Sequence, residues 1–255
     1  MCLQAMTQMA KSHQSEVYAR VRVVQVNPKK QAAPYAFEAK TLMIDYTTPD
    51  FETSALITID TQRDTLDGQP LEIPGTSAAV PNIVSLLEAY RARRLPIVHV
   101  VRIYRNDGSN VDLCRRSAVE EGAQILAEGS LGCELVEDIL PAGAKLLDVD
   151  GLLAGQLQTI GENEVVLYKP RWGAFYGTSL QAHLDRHNVT SLVFSGCNYP
   201  NCPRTSIYQA SERDYRVALA DDAISGLYAQ GVAELKGIGI QLMSTVQIVR
   251  AVLDA

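Results

Sequence analysis

The sequence predicts a three-layer α/β domain in which helices cover both faces of a parallel, Rossmann-like sheet. Short continuous apolar runs such as "ALITID" (55–60) alternate with segments such as "VPNIVSLLEAYRARR" (80–94), whose apolar residues recur at helical spacing. Continuous apolar runs are typical of strands buried on both faces, and strands that alternate with helices form a parallel sheet. The 255 residues, 47% of them hydrophobic, are enough to bury one large core.

The elements follow one another at regular intervals after residue 50. Strands are predicted at 55–60, 96–101, 164–169, 191–196, 216–223 and near 240–243. Helices are predicted at 80–94, 178–188, 203–214, 231–240 and 244–253. Pro81 marks a possible helix start, and Ser244 is a suitable N-cap for the last helix.

Two segments do not follow this alternation. Residues 1–50 are predicted to form an N-terminal arm, and residues 51–255 are predicted to form the domain itself. Within the domain, residues 104–163 are rich in glycine and polar residues and predict a long insertion around the mouth of a site.

Composition excludes several classes of function. The net charge is −6 and there is no long basic run, which argues against a nucleic-acid partner. No apolar run reaches 18 residues, and the N-terminus lacks the pattern of a secretory signal, so we expect no membrane partner. The five cysteines are odd in number and scattered, as expected for reduced thiols in a cytoplasmic protein.

Three reactive side chains follow predicted strands. Asp60 ends the first predicted strand, Lys169 ends the third, and Cys202 lies in the loop after the fourth. Ligands of open α/β sheets bind beyond the carboxyl ends of the strands. We therefore expect an acid, an amine and a thiol to meet at one rim of the sheet.

Cys202 has the features of a nucleophile. Pro203 after it predicts a helix start, so the thiol faces free backbone N–H groups that stabilise a thiolate and lower its pKa. A small packed residue is the alternative interpretation of Cys202. Cys197 closes an apolar strand and is expected to be packed, or alternatively to be a redox partner of Cys202.

Metal and nucleotide sites are weaker alternatives. His183 and His187 have i, i+4 spacing and two cysteines follow, which superficially resembles a zinc site, but this helix precedes the fourth strand. His99 lies within a strand and is expected to be a core histidine. No glycine-rich phosphate loop follows any strand.

With these segments in place, the sequence resembles the isochorismatase-like cysteine hydrolases, the superfamily of nicotinamidases and N-carbamoylsarcosine amidases. The resemblance spans roughly 54–250 and rests on "ALITIDTQRD", "LYKPRWGAFYGTSLQAHL" and "LVFSGCNYPNCPRTSIYQASERD" in this order. It implies a six-stranded parallel sheet of order 3-2-1-4-5-6 and a triad of Asp60, Lys169 and Cys202. It also implies a non-proline cis peptide between Cys197 and Asn198, with the N–H groups of Asn198 and Cys202 as the oxyanion hole.

The resemblance implies a cysteine-dependent amidohydrolase that cleaves a small amide, lactam or ureido compound through a thioester. Metal-ligand histidines of nicotinamidases are absent between residues 13 and 99, so we expect neither a metal nor another cofactor. A redox-sensing or ligand-binding protein on the same scaffold is the alternative. We expect a homo-oligomer, either a dimer or a tetramer.

Several side chains near the triad are candidates for binding the substrate. The predicted substrate-binding residues are Gln62, Arg102, Trp172, Phe175, Tyr176 and Tyr199. The aromatic residues suit a planar or cyclic group, and Arg102, Arg105 and Arg171 offer guanidinium groups for a carboxylate, with plain surface charge as the alternative.

Overall fold

A computed structural model describes residues 45–255, and these contain a seven-stranded sheet. Its strands are β1 (Ser54–Ile59), β2 (Ile97–Val101), β3 (Gln158–Gly161), β4 (Glu164–Tyr168), β5 (Ser191–Gly196), β6 (Arg216–Ile224) and β7 (Gln241–Met243). The strands lie in the order β3-β4-β2-β1-β5-β6-β7.

Six of these strands are parallel and have the predicted order, with β1 near the centre. The seventh strand, β3, corrects the expected number of six because it pairs antiparallel with β4 at the edge. Only Glu162 and Asn163 separate β3 from β4, and a connection this short joins antiparallel neighbours. The β3 sequence "QTIG" has no continuous apolar run, so the sequence pattern does not mark it as a strand.

Helices cover both faces of the sheet, which confirms the three-layer prediction. They are α1 (Thr76–Ala92), α2 (Leu113–Glu120), α3 (Val149–Leu153), α4 (Leu180–Arg186), α5 (Cys202–Ser211), α6 (Ala229–Gly237) and α7 (Thr245–Asp254). Buried residues of α1, α3 and α7 pack in one core cluster, and those of α4, α5 and α6 pack in another on the opposite face.

Strand β1 is buried along its whole length and contributes to both cores. Ala55, Ile57 and Ile59 belong to the cluster with α4–α6, and Leu56 belongs to the cluster with α1 and α7. Successive side chains of a strand point to opposite faces, so a strand between two helical layers is mostly apolar along its whole length and does not alternate with polar residues. The carboxyl end of β1 thus lies at the centre of the rim.

Helix α1 begins five residues before the predicted start at Pro81. The carboxylate of Asp67 accepts hydrogen bonds from the N–H groups of Gly75 and Ser77, at 2.9 and 2.8 Å. This carboxylate satisfies N–H groups that a helix start leaves without partners. Because the capping residue comes from the preceding loop, the sequence around the helix does not reveal it. At α7 the Ser244 cap is confirmed, and it forms a capping box with Gln247.

The predicted arm, 1–50, lies almost wholly outside the described residues. Residues Thr47–Ala255 form one compact unit. The segment 104–163 contains α2, α3 and β3. None of the helices in residues 45–255 is both long enough and apolar enough to cross a lipid bilayer.

A buried polar chain crosses three neighbouring strands. Thr58 of β1 contacts Nδ1 of His99 at 2.8 Å, and Nε2 of His99 contacts Glu164 of β4 at 2.7 Å. Arg91 of α1 donates two further hydrogen bonds to the same carboxylate, at 2.9 and 2.7 Å. Both ring nitrogens of His99 are satisfied, which confirms that it is a core histidine.

This hydrogen-bonded network makes the free energy of unfolding depend on pH in the acidic range. Burial raises the pKa of Glu164, but hydrogen bonds from Arg91 and His99 lower it more, and the resulting pKa is about 2. A carboxyl whose pKa falls on folding stabilises the native state above its unfolded pKa, and this stability disappears as the pH drops from about 4.5 toward 2. We expect Glu164→Gln to remove about 2 kcal/mol of the stability difference between pH 6 and pH 3.

Urea unfolding at pH 6, 5, 4 and 3 measures this effect. The matched control is Glu162→Gln, which removes an exposed carboxylate 3.5 Å from Arg94. Parallel stability curves for the parent and the Glu164 variant would contradict the assignment.

Candidate active site

The three predicted catalytic side chains come from separate elements that end at one rim of the sheet. Asp60 directly follows β1, Lys169 directly follows β4, and Cys202 is the first residue of α5, after the loop that leaves β5. Parallel strands point their carboxyl ends the same way, so residues distant in sequence meet there.

Lys169 joins the other two residues. Its Nζ lies 2.9 Å from Oδ2 of Asp60 and 3.3 Å from Sγ of Cys202. The Lys169 side chain is only 1% exposed and that of Asp60 9% exposed. The structure therefore brings the acid, the amine and the thiol into direct contact away from bulk water.

The backbone at this rim is constrained. Asp60 has a φ of +49°, a left-handed conformation that residues with side chains adopt rarely. Gly196, at the end of β5, has a φ of +111°, and a Cβ there would collide with the carbonyl oxygen of Ile59. Strands β1 and β5 approach so closely at this point that only glycine fits, and this holds Asp60 beside the loop that carries Cys202.

Burial controls the resting state of the thiol. Burial, followed by the charge of Asp60, raises the pKa of Cys202 to about 12, although Lys169 lowers it. This corrects the expectation that the helix start would lower the pKa, because burial disfavours the charged thiolate and the carboxylate of Asp60 repels it. Burial lowers the pKa of Lys169, but Asp60 and then Cys202 outweigh it and raise the pKa above its usual value. The site thus holds an ammonium beside a protonated thiol, which needs a base to become nucleophilic.

The two N–H groups predicted to form the oxyanion hole, those of Asn198 and Cys202, lie in the loop before α5 and at its first residue. Among the described residues, no backbone carbonyl accepts from the N–H groups of Asn198 or Cys202. The implied cis bond between Cys197 and Asn198 is wrong for this structure, in which every peptide bond of the described residues is trans. The left-handed turn at Gly196 redirects the chain instead, and hydrogen bonds of the Cys197 and Tyr199 N–H groups to Ile59 and Ser225 fix the loop.

A narrow cleft opens onto the three residues. It is lined by Asp60, Thr65, Leu71, Ile73, Arg102, Asp112, Arg115, Leu126, Lys169, Trp172, Cys197, Asn198 and Cys202. Of the predicted substrate-binding residues, this set includes Arg102 and Trp172. The apolar members and Trp172 supply walls against which a flat or apolar group packs.

Arg102 lines the cleft but its guanidinium is already engaged. Its Nε contacts Asp112 at 3.4 Å, Nη1 donates to the Tyr168 hydroxyl at 2.9 Å, and Nη2 donates to the Asn110 carbonyl at 2.6 Å. The residue is only 2% exposed. Arg102 therefore ties residues of the segment 104–163 to the sheet, and each of its guanidinium nitrogens already has a protein partner.

Gln62 is also a structural residue. Its amide nitrogen donates to the carbonyls of Arg102 and Cys133, and its amide oxygen accepts the N–H of Arg102 at 2.9 Å. The side chain is fully buried and outside the cleft. Gln62 joins the ends of β1 and β2 to the insertion, which corrects its predicted contact with substrate.

Three predicted aromatic residues lie outside the cleft. Tyr199 is fully buried, and its hydroxyl donates to the carbonyl of Gly231 at 3.2 Å. Phe175 packs against Tyr215 with ring centroids 6.0 Å apart. Tyr176 is 60% exposed. Aromatic composition near Lys169 indicated a pocket wall, but the turn at residues 170–179 sends only Trp172 into the cleft.

Sequence reasoning missed Asp112 and Arg115, at the start of α2. Both line the cleft, and Arg115 has a side chain that is 25% exposed. They belong to the stretch "NVDLCRR", whose charged residues have no periodic pattern that distinguishes a site from a solvated helix. In the sequence, this stretch was marked only by its position in the segment predicted to be an insertion around the mouth of the site.

The alternative sites lie elsewhere or lack the needed ligands. His183 and His187 contact each other with ring centroids 4.8 Å apart on α4, and neither lines the cleft. Burial lowers the pKa of His183 to about 4, with further lowering by His187 and Arg186. Within residues 45–255, no three histidine, cysteine or acidic side chains cluster as metal ligands do. The thiol of Cys197 is buried and donates to the backbone carbonyl of Asp60 at 3.0 Å.

Comparison with known proteins identifies a matching domain model and a similar known structure. The isochorismatase domain model matches residues 54–246. An isochorismatase family protein of Desulfovibrio vulgaris, with a known crystal structure, is 31% identical with a TM-score of 0.67, over 80% of this chain and 99% of the other.

Two curated relatives are more distant. A probable inactive nicotinamidase of Arabidopsis thaliana is 29% identical over 195 residues, 74% of this chain and 90% of its own. The N-carbamoylsarcosine amidase of an Arthrobacter species is 26% identical over 160 residues, 63% of this chain and 54% of its own. The domain match, the similarity to the Desulfovibrio protein and the shared fold together place this chain in the isochorismatase family of hydrolases.

Proposed function

We propose that this protein is a cysteine-dependent amidohydrolase that cleaves a non-peptide C–N bond through a thioester at Cys202. One observation carries the proposal: the ammonium of Lys169 contacts both the carboxylate of Asp60 and the sulfur of Cys202. The arrangement supplies a nucleophile, a base and a fixed positive charge in a single buried site.

In the first half-reaction, Asp60 takes the thiol proton while Sγ of Cys202 bonds to the substrate carbonyl carbon. Oδ1 of Asp60 is buried and has no hydrogen-bond partner among the described residues, so it is free to accept this proton. The N–H groups of Asn198 and Cys202 stabilise the oxyanion that develops. When the tetrahedral intermediate collapses, Asp60 returns the proton to the leaving nitrogen, and ammonia or an amine departs.

In the second half-reaction, water replaces the amine. Asp60 takes a proton from the water as its oxygen bonds to the thioester carbonyl carbon. Collapse breaks the C–S bond, and the proton returns to the sulfur as the acid product leaves. Lys169 keeps its proton throughout and orients the carboxylate toward the sulfur, which its raised pKa favours.

The cleft and the relatives support the proposed substrate class. The cleft is narrow and part apolar, which suits a small amide, lactam or ureido compound. One relative is by name an amidase. A small-molecule partner, a cytoplasmic location and a homo-oligomeric state belong to the same proposal.

Trapping of the acyl-enzyme tests the proposal. The protein is mixed with a panel of small amides, lactams and ureido compounds, quenched in acid and analysed by intact mass and peptide mapping. We expect an acyl adduct on Cys202 in the parent and none in Cys202→Ala. Cys114→Ser, which removes an exposed thiol, is the matched control and should keep the adduct. Turnover in the Cys202→Ala variant at the parent rate would refute the thioester.

A redox-sensing or ligand-binding protein is the alternative on this scaffold. Mild peroxide followed by mass spectrometry separates the two functions. A disulfide between Cys197 and Cys202, together with no hydrolysis of any panel compound, would favour the sensor.

A further inference from the structure

The charges in the cleft do not cancel. Lys169 pairs with Asp60 at 2.9 Å, and Arg102 contacts Asp112 at 3.4 Å. Arg115 is the third cation of the lining, and it lies 3.7 Å from the Asp112 carboxylate that Arg102 already contacts. With a protonated thiol, the lining has three cations and two anions, so one positive charge remains.

A hydrogen-bonded chain holds Arg115 in position. Its Nη1 donates to the Tyr104 hydroxyl at 3.0 Å, and that hydroxyl donates to Asp112 at 2.8 Å. Tyr104 is only 2% exposed. A guanidinium fixed through a buried tyrosine and a buried aspartate loses little side-chain entropy when it binds a ligand.

Arg115 also keeps free donors in the cleft that Cys202 lines. Its Nε and Nη2 have no hydrogen-bond partner among residues 45–255, whereas every nitrogen of Arg102 has one. Burial lowers the pKa of Arg115, but Tyr104, and more weakly Cys202, raise it above its usual value. Arg115 and Cys202 line the same cleft, so a substrate that reaches the sulfur also meets this guanidinium.

Arg115 thus combines a surplus positive charge, a fixed orientation and free hydrogen-bond donors, and this combination bears on substrate specificity. We propose that Arg115 is the specificity-determining residue of this site and binds a carboxylate of the substrate. The substrate is then a small amide or ureido compound that also carries a carboxylate. This inference deepens the proposed function and rests on it for the reaction, although the anion site itself is testable without turnover.

The test compares two alkylating reagents of nearly equal size at the same sulfur. Iodoacetate carries a carboxylate and iodoacetamide is neutral. The Cys202 thiolate attacks the CH2 carbon of either reagent and displaces iodide, so the ratio of the two rates cancels any change in the thiol pKa and reports only the preference for the anion. The rates are measured at Cys202 by fragment-resolved mass spectrometry in the parent, Arg115→Gln and Arg115→Lys.

We expect the iodoacetate to iodoacetamide ratio to fall roughly fivefold or more in Arg115→Gln, and less in Arg115→Lys, which keeps the charge without the planar fork. The parent ratio should also fall with added salt. The matched control is Arg116→Gln, the neighbouring arginine on α2, which lines a separate cavity with Asp107 and Glu120 and should leave the ratio unchanged.

Failures of the two proposals are distinguishable. An unchanged ratio in Arg115→Gln, or an equal fall in Arg116→Gln, overturns the carboxylate site even if Cys202-dependent hydrolysis is found. A selective fall with no acyl adduct from any panel compound supports the anion site and counts against the hydrolase.

Discussion

Replacement of Cys202 by serine is expected to lower kcat/KM by about a thousandfold or more, with little change in stability. Serine is close in size, and Cys202 is 7% exposed at the start of α5, so the fold should tolerate it. The hydroxyl is a far weaker acid than the thiol, and the single carboxylate of Asp60 cannot remove its proton at a useful rate. The fall in kcat/KM therefore measures how much the reaction depends on a thiol as its nucleophile.

Steady-state kinetics on a substrate identified in the panel measures this loss, and thermal unfolding verifies the fold. Cys114→Ser is again the matched control and should retain the parent rate. A Cys202→Ser variant that keeps a tenth or more of the parent activity would exclude the thioester route.

Asp60→Asn should impair both activity and stability. Turnover should fall about 10²- to 10⁴-fold because asparagine cannot accept the thiol proton. Stability should fall by about 3–5 kcal/mol because Lys169, 1% exposed, is left without its countercharge. The pKa of Lys169 should then drop, since burial alone lowers it.

A second substitution separates the two effects. In Asp60→Asn/Lys169→Met the uncompensated charge is gone, so much of the lost stability should return while activity stays lost. Lys169→Met alone should also be destabilised, because it leaves Asp60 buried and unpaired. Urea unfolding and kinetics on the three variants check this. If activity returned in the double variant, Asp60 would not be the base.

The pattern of residues in the sequence predicted the layers, the parallel strands and the three residues at the rim, and the family resemblance supplied the strand order. Runs such as "ALITID" and "SLVFSG" are mostly apolar because both faces of their strands are buried, and the few polar residues inside them, such as Thr58 and Ser195, are buried as well. An apolar run is a pattern of neighbouring residues, so it can be recognised without a structure. The residues that follow such runs occupy the carboxyl ends of parallel strands, and the rim of Asp60, Lys169 and Cys202 follows from this.

Only the tertiary structure decided what surrounds that rim. The start of α1 depends on hydrogen bonds to Asp67. The role of Gln62 depends on the carbonyl groups of the residue that follows β2 and of the insertion. The high pKa of Cys202 depends on its burial beside Asp60. Arg102 and Arg115 look alike in sequence, yet one is saturated by hydrogen bonds and the other keeps free donors in the cleft. These outcomes depend on contacts between segments far apart in the chain, and local patterns of residue type do not encode which distant groups will meet.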